Sequence, residues 1–225
     1  MDNKTANGFR FYTRQNLIFL LGRRAKNLSE LLAGIKAVPP MTIFQHTHHY
    51  LIQHEHISPE PPNDFAYWIT SALQDKLLGE KIASIDLRRY SDLEKIRTEL
   101  INIVATAQED IERMPHHNSP AGEEFHFMSA RSFVFPTKYV ANTLQEFKEC
   151  LEKVSVYSIY FHVFEARFHK KEFDFSLWLS KSLGEEKLAE EFSKLDPYTQ
   201  TIENLRKTLV KLIMNKLEGN KNGKA

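Results

Sequence analysis

Histidine is the one residue type concentrated enough in this sequence to suggest chemistry. Five of the ten histidines lie between residues 46 and 56, within the stretch 42–68. A shortened copy of the stretch 42–68, residues 158–178, carries a histidine at the position equivalent to His46. Side chains three residues apart on a helix project from one face, so each copy can present two ligands. Three imidazoles and one carboxylate would suit Zn²⁺, Mn²⁺ or Fe²⁺. The four ligands of this predicted site are His46, His49, His162 and Glu165.

Each copy also contains an aspartate after its histidine, Asp64 in the first and Asp174 in the second. If a metal is bound, these aspartates could add a ligand or orient a histidine. Without a metal, each histidine would hydrogen-bond the helix start that carries its own aspartate, because buried polar groups need partners. Both interpretations are open, and the second is favoured because an isolated His-x-x-His is a weak motif.

Other side chains give weaker indications of chemistry. The sequence has no Gly-rich phosphate loop, Gly-x-Ser-x-Gly, Ser-x-x-Lys or Cys-x-x-Cys, and its single cysteine, Cys150, is interpreted as a partly apolar helix residue. A basic cluster near the amino end could contact an anion, but it is better explained as a solvated rim because the second copy lacks it. That cluster is Arg10, Arg14, Arg23, Arg24 and Lys26. The histidines interpreted as solvated are His48, His54, His56, His116 and His117.

The two histidine stretches belong to a longer internal repeat. A shift of 116 residues places Phe9 on Phe125 and His46 on His162, and a six-residue deletion then places Trp68 on Trp178. Self-similarity of this length indicates a duplicated structural unit. The predicted organisation is a first helical repeat over 9–112, a linker over 113–124, a second helical repeat over 125–217, and a disordered tail over 218–225.

The patterns within each repeat are mainly helical. Asn27 precedes an amphipathic run, and Thr143 and Glu146 form the equivalent capping box. The predicted fold is therefore mainly α: an internally duplicated helical bundle of two pseudo-symmetric halves packed as one globular unit. The segments FRFYTRQNLIFLL and FHFMSARSFVFPT stay ambiguous between short strands and lead-ins to helices. Trp68 and Trp178 are predicted to be core residues, because aromatic residues at helical spacing usually pack inside.

Several motifs together resemble a known protein family. They are His-Thr-His at 46–48, Asn-Asp-Phe-Ala-x-Trp at 63–68, Phe-His-Phe-Met at 125–128, Phe-Glu-Ala-Arg at 164–167 and Leu-Asp-Pro-Tyr-Thr at 195–199. This combination resembles an uncharacterised prokaryotic family, a domain of unknown function, over residues 9–215. The resemblance implies membership of that group and brings no activity, cofactor or catalytic residue.

Composition narrows the class of function further. A net charge of +1 gives no general attraction to nucleic acid or to an anionic membrane, and one cysteine excludes an internal disulfide framework. We expect a soluble, cytoplasmic protein, since its longest early apolar run is too short for a signal peptide or a bilayer span. A non-catalytic binding or adaptor protein with a protein or small-molecule partner is favoured. The alternative is a metal-binding protein or metal-dependent enzyme.

Overall fold

Two long β-strands, each followed by a series of helices, make up the fold. A computed structural model describes residues 8–49, 63–90, 92–109, 118–168 and 175–222. The first series is β1 Phe9–Ala25, α1 Leu28–Ala37, α2 Pro40–His48, α3 Asp64–Ser71, α4 Lys76–Ala83, a 3₁₀ turn Leu87–Arg89 and α5 Leu93–Glu109. The second is β2 Phe125–Ala141, α6 Leu144–Lys153, α7 Val156–Tyr160, a π-helical turn Phe161–Glu165, a 3₁₀ turn Ala166–Phe168, α8 Phe175–Leu183, α9 Glu186–Lys194 and α10 Ile202–Asn222.

The strands correct the predicted fold class. β1 and β2 have 17 residues each and pair as a two-stranded antiparallel sheet, so the fold is α/β and the prediction of a mainly α-helical bundle is wrong. Phe9 and Phe11 are both buried while Arg10 between them is exposed. This spacing of two places the phenylalanines on one side of a strand, whereas a helix would turn them apart. The ambiguous segments are therefore strands, and they are longer than the short pieces considered.

Pro136 does not prevent strand formation. It lies within β2 and is exposed. Proline removes a hydrogen-bond donor and is tolerated where a strand has an open edge. In a sheet of two strands each strand has one such edge, so Pro136 was evidence against a helix and not against a strand.

Equivalent positions of the two repeats make equivalent contacts. In each repeat a side chain caps the first helix, and the two capping residues are 116 positions apart in the sequence. In each repeat an arginine of the last helix also donates a hydrogen bond to a carbonyl of the first helix. The capping bonds run to Asn27 Oδ1 from the amide of Glu30 and to Thr143 Oγ1 from the amide of Glu146. The arginine bonds run from Arg97 Nη1 to the Ile35 carbonyl and from Arg206 Nη1 to the Leu151 carbonyl. Local sequence signals and tertiary contacts thus recur together.

The chain forms two compact units, and each unit contains the helices of one repeat together with the first half of the strand from the other repeat. Of the described residues, one unit contains 8–15 and those from Phe133 onward, and the other contains those between Asn16 and Ser132. The first half of β1 therefore packs with the helices that follow β2, and the first half of β2 packs with the helices that follow β1. We call these the second-repeat unit and the first-repeat unit, after their helices.

Each unit has an aromatic core centred on a strand residue. In the first-repeat unit, the ring of Phe125 lies 5.1 Å from Phe65 and 5.7 Å from Trp68. In the second-repeat unit, the ring of Phe9 lies 5.4 Å from Phe175 and 5.5 Å from Trp178. Both tryptophans are buried, which confirms the prediction that they are core residues.

The predicted linker and tail fall partly outside the described residues. Residues 113–117 and 223–225 are not described. Residues 118–124 form a turn region that leads directly into β2. α10 ends at Asn222, so helix extends into the segment expected to be a disordered tail.

Candidate functional site

His46 is held by hydrogen bonds at both ring nitrogens. Its Nε2 accepts from the backbone N–H of Met128 at 2.9 Å, and its Nδ1 lies 2.7 Å from Asp64 Oδ2. A backbone N–H can only donate, so Nε2 carries no proton and the proton of the neutral ring is on Nδ1, where it is donated to Asp64. The side chain is 1% exposed, while Asp64 is 43% exposed. His46 thus joins α2 to the start of α3 and to β2.

His162 makes the equivalent strand contact in the other unit. Its Nε2 accepts from the backbone N–H of Tyr12 at 2.8 Å, and Tyr12 is equivalent to Met128 in the repeat. The imidazole stacks on Phe175 with ring centroids 5.0 Å apart. Asp174, expected to be its carboxylate partner, lies outside the described residues. The predicted contact between a histidine and the aspartate at the helix start is thus present for His46 and Asp64. Both the interpretation without a metal and the second-shell role of Asp64 expect this contact, so it does not decide between them.

The four predicted metal ligands are divided between the two units. His46 and His49 belong to the first-repeat unit, and His162 and Glu165 belong to the second-repeat unit. Glu165 accepts a hydrogen bond from Arg14, and His49 is the C-cap residue that follows α2. In the part of the chain that the structure describes, no group of three or more His, Cys, Asp or Glu side chains is arranged to hold a metal ion. The metal site and its divalent cofactor stay predictions.

We expect His46→Ala to destabilise the protein by about 2–3 kcal/mol, because it removes two hydrogen bonds from a buried site, one of them to a carboxylate. The free energy of unfolding can be measured by urea denaturation, and amide exchange at Met128 should accelerate in parallel. His126→Ala is a matched control, since His126 lies on the same strand and is exposed. A loss no larger than that of the control would contradict the positioning role of His46.

For one of the histidines interpreted as solvated, the prediction is wrong. His48 is fully buried, and its ring stacks on Phe44 with centroids 4.5 Å apart. Its Nδ1 lies 2.7 Å from the hydroxyl of Thr47. The prediction failed because α2 is buried around most of its circumference, so no face of it is available for solvated residues. His54, His56, His116 and His117 lie outside the described residues.

Arg14 is the second residue whose predicted exposure to solvent is wrong. It was assigned to a solvated basic rim, but it is 6% exposed and its Nη1 donates to Glu165 Oε2 at 2.7 Å. The guanidinium carbon also lies 4.2 Å from the centroid of the Tyr160 ring. The remaining described members of the cluster are exposed: Arg10, Arg23, Arg24 and Lys26.

Both strands expose consecutive apolar side chains in their second halves. In the segment 17–20 of β1, Leu17 is 59% exposed, Ile18 39%, Phe19 42% and Leu20 63%. The segment 133–135 of β2 has Phe133, Val134 and Phe135 exposed by 37–48%. Successive side chains of a strand point to opposite faces, so both faces of the strand are apolar there.

Cys150 lies on α6, which confirms the prediction that it is a helix residue, and its thiol is buried. Burial raises the pKa of the Cys150 thiol, and its Sγ lies 3.8 Å from the carbonyl oxygen of Val140. Because the thiolate is the reactive form, a raised pKa leaves less of it at any given pH.

We therefore expect Cys150 to react with iodoacetamide at pH 8 far more slowly in the native protein than in guanidinium chloride. Mass spectrometry of the labelled protein measures both rates. Equal rates in the two conditions would show that the thiol is accessible and activated.

The protein has an α/β fold in which each of two strands is followed by a series of helices, and in each unit an imidazole accepts a hydrogen bond from the backbone of a strand. The chain belongs to the family of unknown function DUF5752, whose model matches residues 6–214. This agrees with the resemblance drawn from its motifs at the level of an uncharacterised family.

A solved structure shares this architecture. The structure of OrfY from Thermoproteus tenax is similar with a TM-score of 0.80 and 28% sequence identity, over 95% of this chain and 97% of that chain. No curated protein matches the sequence. Within the described residues, no helix combines the length and apolar character needed to cross a membrane.

Proposed function

We propose that the protein is a non-catalytic adaptor that binds an extended, acidic and apolar segment of a partner protein along β1. The observation that carries this proposal is the exposure of four consecutive apolar residues, 17–20, on a strand of a two-stranded sheet. Single exposed apolar residues are ordinary, but contiguous ones mark interaction surfaces. The engaged Nε2 atoms of His46 and His162 give no support to histidine acid–base chemistry.

Charge supports an acidic partner. Neither strand contains an aspartate or glutamate, whereas the chain's 29 acidic residues in 225 would place about four in 34 strand residues. Three exposed arginines, Arg10, Arg23 and Arg24, lie on β1, where the fourth, Arg14, is buried against Glu165. Arg131 and Lys138 lie on β2. With six basic residues on the strands and a net charge of +1 for the chain, the remainder carries 1 − 6 = −5. The strands are thus the basic part of a nearly neutral protein.

Strand addition is the binding mode that these features favour. Among the described elements each strand pairs with one other strand, which leaves its second edge without a strand neighbour. An extended segment can hydrogen-bond such an edge while its side chains contact both faces. A membrane surface would require one apolar face, whereas residues 17–20 present apolar side chains on two. Exposed Arg23 and Arg24 follow this segment and would pair with acidic side chains of the partner.

Photo-crosslinking tests the proposal in cells. A benzophenone amino acid in place of Phe19 should crosslink to a segment of another protein that contains acidic and apolar residues. The same residue in place of Leu77, which lies on α4 and is 57% exposed, should not capture that segment. Crosslinks from position 19 only to lipid, or only to a second copy of this chain, would contradict the proposal.

Binding of the crosslinked segment as a synthetic peptide provides the quantitative test. The double variant L17T/L20T should weaken the affinity at least about tenfold, because each buried leucine contributes about 1.5–3 kcal/mol. L77T should bind like the wild type. Unchanged affinity of L17T/L20T in isothermal titration would place the partner elsewhere on the molecule.

A further inference from the structure

Arg14 is fixed in the second-repeat unit by two groups. One nitrogen of its guanidinium, Nη1, donates to Glu165 Oε2 at 2.7 Å, and the side chains of this pair are 3% and 1% exposed. The ring of Tyr160 covers the guanidinium at 4.2 Å, a distance at which cation–π attraction is favourable. The guanidinium therefore has a defined position and orientation.

One donor of this fixed guanidinium is left over. Nε of Arg14 is buried and has no hydrogen-bond partner among the residues that the structure describes. Leaving a buried donor unsatisfied is costly, and the cost is larger for a charged group. In a guanidinium, the Nε–H points in the same direction as one N–H of Nη2, and this pair forms the fork that binds a carboxylate or phosphate through two parallel bonds. Glu165 holds Nη1, which is not part of that fork.

The other repeat shows that the arrangement is special to this unit. The equivalents of Arg14, Tyr160 and Glu165 are Ala130, Phe44 and His49. The first-repeat unit thus lacks the guanidinium, the tyrosine hydroxyl and the carboxylate of this cluster. The hydrogen bond from strand backbone to a histidine is nevertheless present in both units. The cluster is not required by the fold that the two repeats share.

The backbone beside the cluster also differs between the repeats. Residues 161–165 form a π-helical turn that ends at Glu165, whereas the equivalent residues of α2 are α-helical as far as His48. π-Helical turns are rare and frequently occur at functional sites. Glu165, the last residue of this π-helical turn, is buried, and its carboxylate accepts the hydrogen bond from Arg14.

We propose that Arg14 binds a small oxyanion, a carboxylate or phosphate group of a ligand, through Nε and Nη2. Glu165 fixes the guanidinium by its bond to Nη1, and Tyr160 supports its face. The ligand supplies the acceptor that Nε lacks. This site is independent of the proposed strand-addition surface, since none of its three residues belongs to the segment 17–20.

Ligand-dependent stabilisation of the full chain tests the site. The melting temperature is measured against increasing inorganic phosphate and, separately, acetate, with sodium chloride holding the ionic strength constant. We expect a saturable rise with at least one probe, and the two arms distinguish a phosphate ligand from a carboxylate ligand. No rise beyond chloride with either probe would overturn the proposal.

Two variants separate binding from general salt effects. R14K keeps the charge facing Glu165 but lacks the fork, so the midpoint of the response should rise about tenfold or more through loss of a charge-assisted hydrogen bond. The triple variant R14A/Y160F/E165H installs the residues of the first-repeat unit and should lose the saturable response, leaving only the general stabilisation that excluded anions give. K138A, which removes an exposed charge from β2, should respond like the wild type. A wild-type response in the triple variant would overturn the proposal.

Discussion

Replacing Glu165 with alanine should cost about 3–5 kcal/mol of stability, the range for removing one member of a buried ion pair. The loss would leave the guanidinium of Arg14 buried without its carboxylate, at a site where both side chains are almost completely removed from solvent. The penalty arises from the uncompensated charge more than from the attraction itself. Urea denaturation followed by far-ultraviolet circular dichroism measures it.

The same experiment has an internal rescue and a surface control. The double variant R14A/E165H carries the residue pair of the first-repeat unit, Ala130 and His49, and should recover most of the lost stability because no charge is left unpaired. Glu203 also pairs with an arginine, but its side chain is 52% exposed, so E203A should cost about 1 kcal/mol or less. Equal losses for E165A and E203A would show that burial of the Arg14 pair has no energetic consequence.

Replacing Trp68 with alanine should cost about 3–5 kcal/mol, the range for large-to-small changes of core aromatics. Trp68 is 6% exposed, packs edge-to-face on Phe125 at 5.7 Å, and donates its indole N–H to the carbonyl of Glu123 at 2.6 Å. The substitution therefore removes an aromatic contact, leaves a cavity and strips a backbone acceptor of its donor.

The two tryptophans allow this loss to be assigned to a unit. W68A retains Trp178, whose fluorescence reports on the second-repeat unit, and W178A retains Trp68 in the first-repeat unit. Circular dichroism in urea gives the stability of each variant, and the remaining tryptophan reports the unfolding of the unmutated unit. Y67A is the matched control, since Tyr67 neighbours Trp68 and is 50% exposed. A loss in W68A as small as that in Y67A would contradict the core assignment.

Features encoded within a few residues could be read from the sequence. A helix start needs a side-chain oxygen beside free amide groups, and Asn27 and Thr143 provide it as predicted. The repeat was visible because duplication keeps the order and spacing of residue types. The pairing of His46 with Asp64 was also accessible, because both are kept at equivalent positions in the two repeats.

The fold class was missed because strand and helix signals compete in the first part of each repeat. Phe9 and Phe11 show the spacing of a half-buried strand, but residues 17–20 are all apolar and obscure the alternation. Those residues are exposed on both faces, so no burial pattern imposes a period on them. A single-sequence argument had no means to separate this exposed apolar strand from the start of a buried helix.

The sequence by itself indicated the repeat, two helix caps, the two core tryptophans and one histidine–aspartate contact, because each depends on local spacing or on the comparison of two copies. Only the tertiary structure decided that the first halves of β1 and β2 pack with the helices of the opposite repeat. The two repeats share one pattern, so a half-strand fits either set of helices equally well by pattern. That exchange, which joins residues about 150 positions apart, buries Arg14 against Glu165 and brings the backbone of Tyr12 to His162. Contacts of this range depend on the packing of whole elements, and no spacing along the chain records them.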